Sequence, residues 1–144
     1  MNEAATVRAV LAMPVWAFVG LAPDRHRTAY EIAEFLQRQG RRIVPIHPGG
    51  EEALGEPGYR SLGEIAFPVD VVAVYRRSTF VAETVDAAIA IGARAVWCPL
   101  GVGDGGAAER AEAAGLAVVM DRCPTIEWPR YGESDAAGPD ASGA

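Results

Sequence analysis

The chain contains no lysine, and all 13 of its basic residues are arginine. A Walker A phosphate loop, a Schiff-base mechanism and a pyridoxal-phosphate site each need a lysine, so the sequence excludes all three. Cysteine and histidine are scarce as well, with two of each. They lie far apart, without the C-x-x-C or H-x-x-x-H spacing of metal ligands. We therefore expect no metal site.

Long hydrophobic runs are absent too, although hydrophobic residues make up 50% of the chain. No run approaches the roughly 20 residues of a membrane span. The N-terminus has an acidic residue near its start and only a short apolar stretch, which is not typical of a signal peptide. The net charge of -6 argues against a nucleic-acid or membrane-surface partner. We expect a reduced, cytoplasmic protein without either partner.

The length of 144 residues fits one domain with a substantial core. Three amphipathic segments each close on a glycine, and an apolar run follows at once. Nearly continuous apolar runs are typical of parallel strands that are buried on both faces. Five such runs occur, namely VWAFVG, RIVPI, VDVVAVY, AVWC and AVVM. The expected fold is α/β, a Rossmann-like, doubly wound, five-stranded parallel sheet flanked by helices.

Three segments are expected along the chain. Residues 1–14 should form an N-terminal helical segment that Pro14 ends. Residues 15–130 should form the Rossmann-like domain, with a short helix at Ser61–Ile65 in the long connection between its second and third strands. Residues 131–144 are small and acidic with nothing to bury, so we expect a disordered tail.

Two helices show clear stripes of apolar residues at helical spacing. The first stripe is Ala29, Ile32, Ala33 and Leu36, and the second is Val81, Val85, Ala88 and Ile89. The run Thr28-Ala29-Tyr30-Glu31 has the pattern of a capping box, which predicts that Thr28 caps the helix that follows the first strand.

The turn after the first strand differs from a dinucleotide fingerprint. Gly20 opens the turn, but Ala22 and Arg25 stand where G-x-G-x-x-G has its later glycines. The second strand ends in His47 and Pro48, without the carboxylate that usually holds the ribose of NAD. These departures argue against plain NAD.

Positive charge gathers just ahead of the helix that follows this turn, at Arg25, His26 and Arg27. Such charge is unfavourable for the helix alone, and an anion there would explain it. We therefore expect a phosphate site for a nucleotide-like ligand. In an open parallel sheet that ligand lies across the carboxyl ends of the strands, which gather residues 20–27, 47–50, 75–78, 99–106 and 121–123.

Seven pieces of the sequence resemble the stand-alone bacterial CoA-binding proteins, whose domain is similar to the CoA-binding domain of succinyl-CoA synthetase α-subunits. The likeness runs from about Val15 to Arg130, and the pieces come in the family's order. They are VGLAPDRHRTAYEIAEFL, IVPIHPGG, YRSL, VDVVAVYRRS, AIGARAVWCPLG, AERAEAAGLAVVMDRCP and IEWPR.

The resemblance implies that CoA or an acyl-CoA lies over the first βα turn and the ends of the next strands. Carried over by position, the turn meets the nucleotide through its backbone, two arginines face phosphates, and the second strand's end lies against the adenosine. The implied contacts are Gly20, Leu21, Ala22, Arg25, Arg27, Thr28, Ile46, His47, Pro48, Tyr75, Arg76 and Arg77.

The chain departs from the family's usual residues at several of these positions. Alanine replaces serine at Ala22, histidine replaces asparagine at His47, and threonine replaces glutamate at Thr79. Proline replaces glutamine at Pro99, which removes a side-chain amide and a backbone donor. Thr28-Ala29 stands where the family usually has Pro-Ser.

Four functional hypotheses follow. The first is a CoA-binding module without chemistry of its own, which acts with an as yet unidentified protein partner or alone. The second is a thiol or acyl-transfer enzyme that uses Cys98 or Cys123, both of which lie near the carboxyl ends of strands. The third is an NADP-binding regulator, in which Arg25 and Arg27 accept a 2′-phosphate. The fourth is a degenerate domain retained for protein–protein contact.

Overall fold

Five parallel strands form one sheet in a computed structural model that describes residues 1–132. The strands follow the order β2-β1-β3-β4-β5, which confirms the expected doubly wound fold. Each strand lies within one of the five predicted apolar runs. Their bounds are β1 Val15–Val19, β2 Arg42–Ile46, β3 Val71–Val74, β4 Ala95–Trp97 and β5 Ala117–Val119.

Five α-helices cover the two faces of this sheet. Their bounds are α1 Ala4–Leu11, α2 Thr28–Arg38, α3 Val81–Ala90, α4 Gly105–Ala113 and α5 Pro124–Tyr131. Helices α1, α2 and α5 pack on one face, and α3 and α4 pack on the other. Short 3-10 turns lie at Leu62–Glu64, within the predicted Ser61–Ile65, and at Ser78–Phe80. None of the helices in residues 1–132 is long and apolar enough to cross a membrane.

The core differs between the two faces. Trp16, Phe18 and Trp97 are fully buried beneath α1, α2 and α5. Their neighbours Ala17 and Val19 point to the other face, where alanine and valine from α3 and α4 meet them. All four residues of the predicted α2 stripe are buried, as are three of the four in the α3 stripe. The predicted amphipathic faces are therefore correct.

The start of α2 differs from the prediction. Arg27, with extended backbone, is the residue that precedes the helix, and no side chain caps it. Thr28 is already in the first turn and is exposed, so the predicted capping box is wrong. The cause is Asp24, whose carboxylate accepts from the N–H of His26 at 3.0 Å and whose carbonyl accepts from the N–H of Arg27 at 3.1 Å. Asp24 closes the turn and leads the chain into the helix one residue early.

Both ends of the described chain join the body of the fold. The side chain of Asn2 donates to the carbonyl of Met120 at 2.7 Å and accepts from its N–H at 2.9 Å, which ties the segment ahead of α1 to the end of β5. Helix α1 ends at Leu11, ahead of Pro14. Tyr131, expected to begin the tail, is the last residue of α5 and packs on the core beside Arg8. The rest of the expected tail, from residue 133 onward, lies outside the described residues.

Candidate functional site

A cleft of about 400 Å³ opens at the carboxyl edge of the sheet. It lies where β1 separates β2 from β3, which is the point at which the strand order reverses. Its walls come from the ends of β1 and β2, the turn after Tyr59, and the first two turns of α3. The lining residues are Val19, Gly20, Ile46, His47, Pro48, Arg60, Ser61, Leu62, Arg76, Glu83, Thr84 and Ala87.

Gly20 forms the floor where β1 ends. Its φ is +105°, and a Cβ at this position would fall 2.1 Å from the carbonyl oxygen of Tyr75. The N–H groups of Gly20 and Leu21 both donate to the carbonyl of Ile46, at 2.8 and 3.2 Å. The backbone of β1 therefore turns sharply between its two neighbouring strands, and only glycine fits there.

The end of β2 pairs with a segment far along the chain. The N–H of His47 donates to the carbonyl of Tyr59 at 3.0 Å, and the N–H of Tyr59 donates to the carbonyl of Pro45 at 2.9 Å. This pairing carries Arg60 and Ser61 into the cleft wall. The Nδ1 of His47 accepts from the N–H of Gly49 at 3.1 Å and lies 3.8 Å from a carboxylate oxygen of Glu51.

Arg76 follows β3 and supplies positive charge to the cleft. Its guanidinium carbon lies over the ring of Phe80, 4.1 Å from the ring centre, in a cation–π contact. One guanidinium nitrogen lies 3.0 Å from a carboxylate oxygen of Glu83. Arg60 is exposed on the opposite wall, where its backbone N–H donates to Glu64 at 2.7 Å. Two arginines and one carboxylate therefore face the same space.

The predicted contact residues divide into two groups. Those that line the cleft are Gly20, Ile46, His47, Pro48 and Arg76. The others lie outside its walls: Leu21 is fully buried, Ala22 and Tyr75 are half-buried, and Arg25, Arg27, Thr28 and Arg77 are exposed. Their roles toward a ligand stay predictions.

Tyr75 faces away from the cleft. Its ring stacks on Phe18 at 5.1 Å between centres, on the face of the sheet that α1, α2 and α5 cover. Its hydroxyl is buried and has no hydrogen-bond partner among the described residues. Burial raises the pKa of this phenol far above its ordinary value, so it stays neutral.

Sequence reasoning missed most of the cleft's far wall. The turn YRSL was part of the family resemblance, but none of its residues was predicted to contact the ligand. In the structure Arg60, Ser61 and Leu62 line the cleft. Glu83 and Thr84 of α3 were also missed, because the apolar stripe that predicts this helix contains neither residue. Their place in the chain could have indicated them, because the helix that follows β3 begins at the carboxyl edge of the sheet, where the ligand is expected.

The two cysteines differ in burial, Cys98 being buried and Cys123 half-buried. Cys98 is fully buried, and burial together with the nearby Asp104 raises the pKa of its thiol to about 12. Almost no thiolate exists there at neutral pH, and the thiolate is the reactive form. The Sγ of Cys123 lies 3.0 Å from the hydroxyl of Thr125. Within residues 1–132, no cluster of three or more histidine, cysteine, aspartate or glutamate side chains is arranged to hold a metal ion.

A family model of the CoA-binding domain matches residues 14–129. The chain belongs to this family. The uncharacterized protein YneT of Bacillus subtilis (strain 168) is 33% identical over 107 residues, which cover 74% of this chain and 79% of YneT. The resemblance seen in the sequence is thereby confirmed, and membership of the family supports CoA binding.

Solved structures share the fold over nearly the whole described chain. A hypothetical protein from Pyrococcus horikoshii OT3 superposes with a TM-score of 0.84 at 30% identity, covering 90% of this chain and 92% of that protein. A Thermus thermophilus protein gives 0.83 at 30% identity, covering 90% and 98%. An acetyl-coenzyme A synthetase from Ca. Korarchaeum cryptofilum, in complex with phosphate and ADP, gives 0.66 at 21% identity. The match covers 82% of this chain and 27% of that synthetase, and at 21% identity it shows a likeness of fold alone.

Proposed function

We propose that this chain binds CoA or an acyl-CoA across the carboxyl edge of its sheet and has no chemistry of its own. The observation that carries the proposal is the cleft at the strand-order reversal, lined by Gly20, the end of β2 and two arginines. Open α/β sheets bind their ligands at this position. A module of this kind acts by sensing, buffering or delivering CoA, in the last case to a protein partner.

The phosphates of CoA account for the arginines. Arg60 and Arg76 contribute positive charge from two walls of the cleft, and Arg25 and Arg27 stand exposed at the start of α2. Helices α2 and α3 begin at this same edge on opposite faces of the sheet, so the positive ends of both helix dipoles flank the crevice. A protein with a net charge of -6 needs such local positive charge to attract an anion.

The adenosine part of CoA suits the rest of the lining. Val19, Ile46 and Leu62 offer buried apolar surface, and the side chain of His47 lies at the cleft's rim. A volume of about 400 Å³ lies toward the lower end for small-molecule sites, so it holds one part of CoA while the remainder runs along the sheet edge. The burial and raised pKa of Cys98 argue against thiol chemistry at that residue.

Calorimetric titration with CoA, acetyl-CoA and NADPH at low and moderate salt tests the proposal. We expect CoA to bind in the micromolar range and to weaken with salt, since exposed charges carry much of the attraction. NADPH should bind far more weakly. Tighter binding of NADPH would favour the NADP-binding hypothesis, and no binding of any of the three would favour an interaction domain.

Arginine variants test the position of the site. Arg76→Ala and Arg27→Ala should each weaken CoA binding by about 10- to 150-fold if the side chain bonds a phosphate, as expected for about 1.5–3 kcal/mol of a charged hydrogen bond. Arg38→Ala is the matched control, because Arg38 is exposed at the far end of α2 and forms an ion pair with Glu34 at 3.4 Å. Equal affinities for Arg76→Ala and Arg38→Ala would overturn the proposed site.

A further inference from the structure

Glu83 introduces negative charge into a cleft that is otherwise suited to an anion. Among the described residues that line the cleft, it is the only acidic one. Its carboxylate oxygen lies 3.0 Å from a guanidinium nitrogen of Arg76. A carboxylate in this position repels a phosphate and occupies an N–H that a phosphate would use.

The two members of the pair differ in exposure and in their other contacts. The side chain of Arg76 is 32% exposed and that of Glu83 is 62% exposed. Arg76 has a second contact that does not involve Glu83, since its guanidinium carbon lies over the ring of Phe80 at 4.1 Å. Glu83 can therefore turn to solvent while Arg76 keeps its place.

Other groups on α3 do not duplicate this contact. The hydroxyl of Thr84 donates to the carbonyl of Phe80 at 2.8 Å and is committed to the helix start. Asp86 lies on the same helix but pairs with Arg110 at 3.1 Å, on the side toward α4 and outside the cleft lining. Asp86 therefore has the same kind of ion pair without access to the cleft.

We propose that Glu83 competes with the anionic groups of the ligand for Arg76 and thereby sets the affinity of the cleft. The inference rests on the proposed function, in that the ligand is taken to be CoA. On binding, a phosphate oxygen replaces the carboxylate at the guanidinium, and Glu83 turns outward. The wild-type protein then binds CoA less tightly than it would if the cleft held the same arginines without the carboxylate of Glu83.

Removal of the carboxylate's charge tests the competition. Glu83→Gln keeps the shape of the side chain, and we expect it to bind CoA about two- to fivefold more tightly than wild type at low salt, in line with the strength of an exposed ion pair. The gain should shrink as salt rises. Asp86→Asn removes the same charge from the same helix and should leave CoA affinity within the error of the titration.

A double-mutant cycle separates competition for Arg76 from a general effect of charge. In an Arg76→Ala background there is no guanidinium to compete for, so Glu83→Gln should then give a clearly smaller gain in CoA affinity, the part due to relieved repulsion alone. The same gain in both backgrounds would overturn the proposal. So would unchanged or weaker binding by Glu83→Gln alone, since the carboxylate would then position Arg76 or bind the ligand itself.

Inorganic pyrophosphate, titrated alongside CoA, distinguishes failure of this inference from failure of the proposed function. If wild type does not bind CoA, the proposed function is overturned. The role of Glu83 is then tested by comparing pyrophosphate binding by wild type and by Glu83→Gln. Tighter binding of pyrophosphate by Glu83→Gln than by wild type supports the competition. Equal or undetectable binding of pyrophosphate by both proteins overturns it.

Discussion

Replacement of Gly20 by alanine should damage the fold at the point where the cleft is built. At the φ of +105°, a Cβ would lie 2.1 Å from the carbonyl oxygen of Tyr75 and 3.0 Å from its carbonyl carbon. Both are backbone atoms, and the N–H of Tyr75 is bonded to the carbonyl of Val19 at 2.8 Å. Relief of the clash therefore requires β1 and β3 to move apart.

Two costs combine in this variant. An L-residue with a left-handed backbone loses about 1–2 kcal/mol. Forcing a methyl group into a closed space costs about 1–3 kcal/mol more. We expect a loss of about 2–5 kcal/mol in the free energy of unfolding, which for a chain of this length lowers Tm by about 6–15 °C.

Gly55→Ala is the matched control, because Gly55 also has a positive φ, of +75°, but a Cβ there would meet nothing within 4 Å. Only the backbone cost of about 1–2 kcal/mol should remain. Urea denaturation of both variants, followed by tryptophan fluorescence, measures the difference. If Gly20→Ala were no less stable than Gly55→Ala, the close approach of Gly20 to Tyr75 would be refuted.

Two further predictions concern buried groups. Arg41→Ala should lower the free energy of unfolding by about 2–4 kcal/mol, because its buried side chain donates to the carbonyls of Leu11 and Gln39 at 2.9 and 3.1 Å. In urea denaturation the exposed Arg38→Ala should stay within about 0.5 kcal/mol of wild type, and equal losses would contradict this account. With a pKa raised to about 12, the thiol of Cys98 should remain protonated and resist a disulfide reagent from pH 7 to about pH 9 unless the chain unfolds. A Cys123→Ser protein that reacts at the rate of free cysteine would refute the burial of Cys98.

The strands and helices could be predicted because each leaves a local signal. Continuous apolar runs marked all five strands, and the stripe from Ala29 to Leu36 marked the buried face of α2. These signals are local because each position of a strand or helix that faces the core must carry an apolar side chain, which leaves a regular pattern in the sequence. The start of α2 was predicted one residue late, since it depends on the hydrogen bonds of Asp24 rather than on the run that begins at Thr28.

The sequence alone determined the order of elements, the parallel sheet and the family likeness, and with them the edge at which a ligand should lie. Only the tertiary structure decided the composition of the cleft. Pairing of His47 with Tyr59 brings Arg60 to its wall, and the packing of α3 sets Glu83 against Arg76. It also turns Tyr75 toward Phe18 and away from the site. The physical reason is that these contacts join residues from different elements, whose relative positions depend on how the whole core packs rather than on any local pattern.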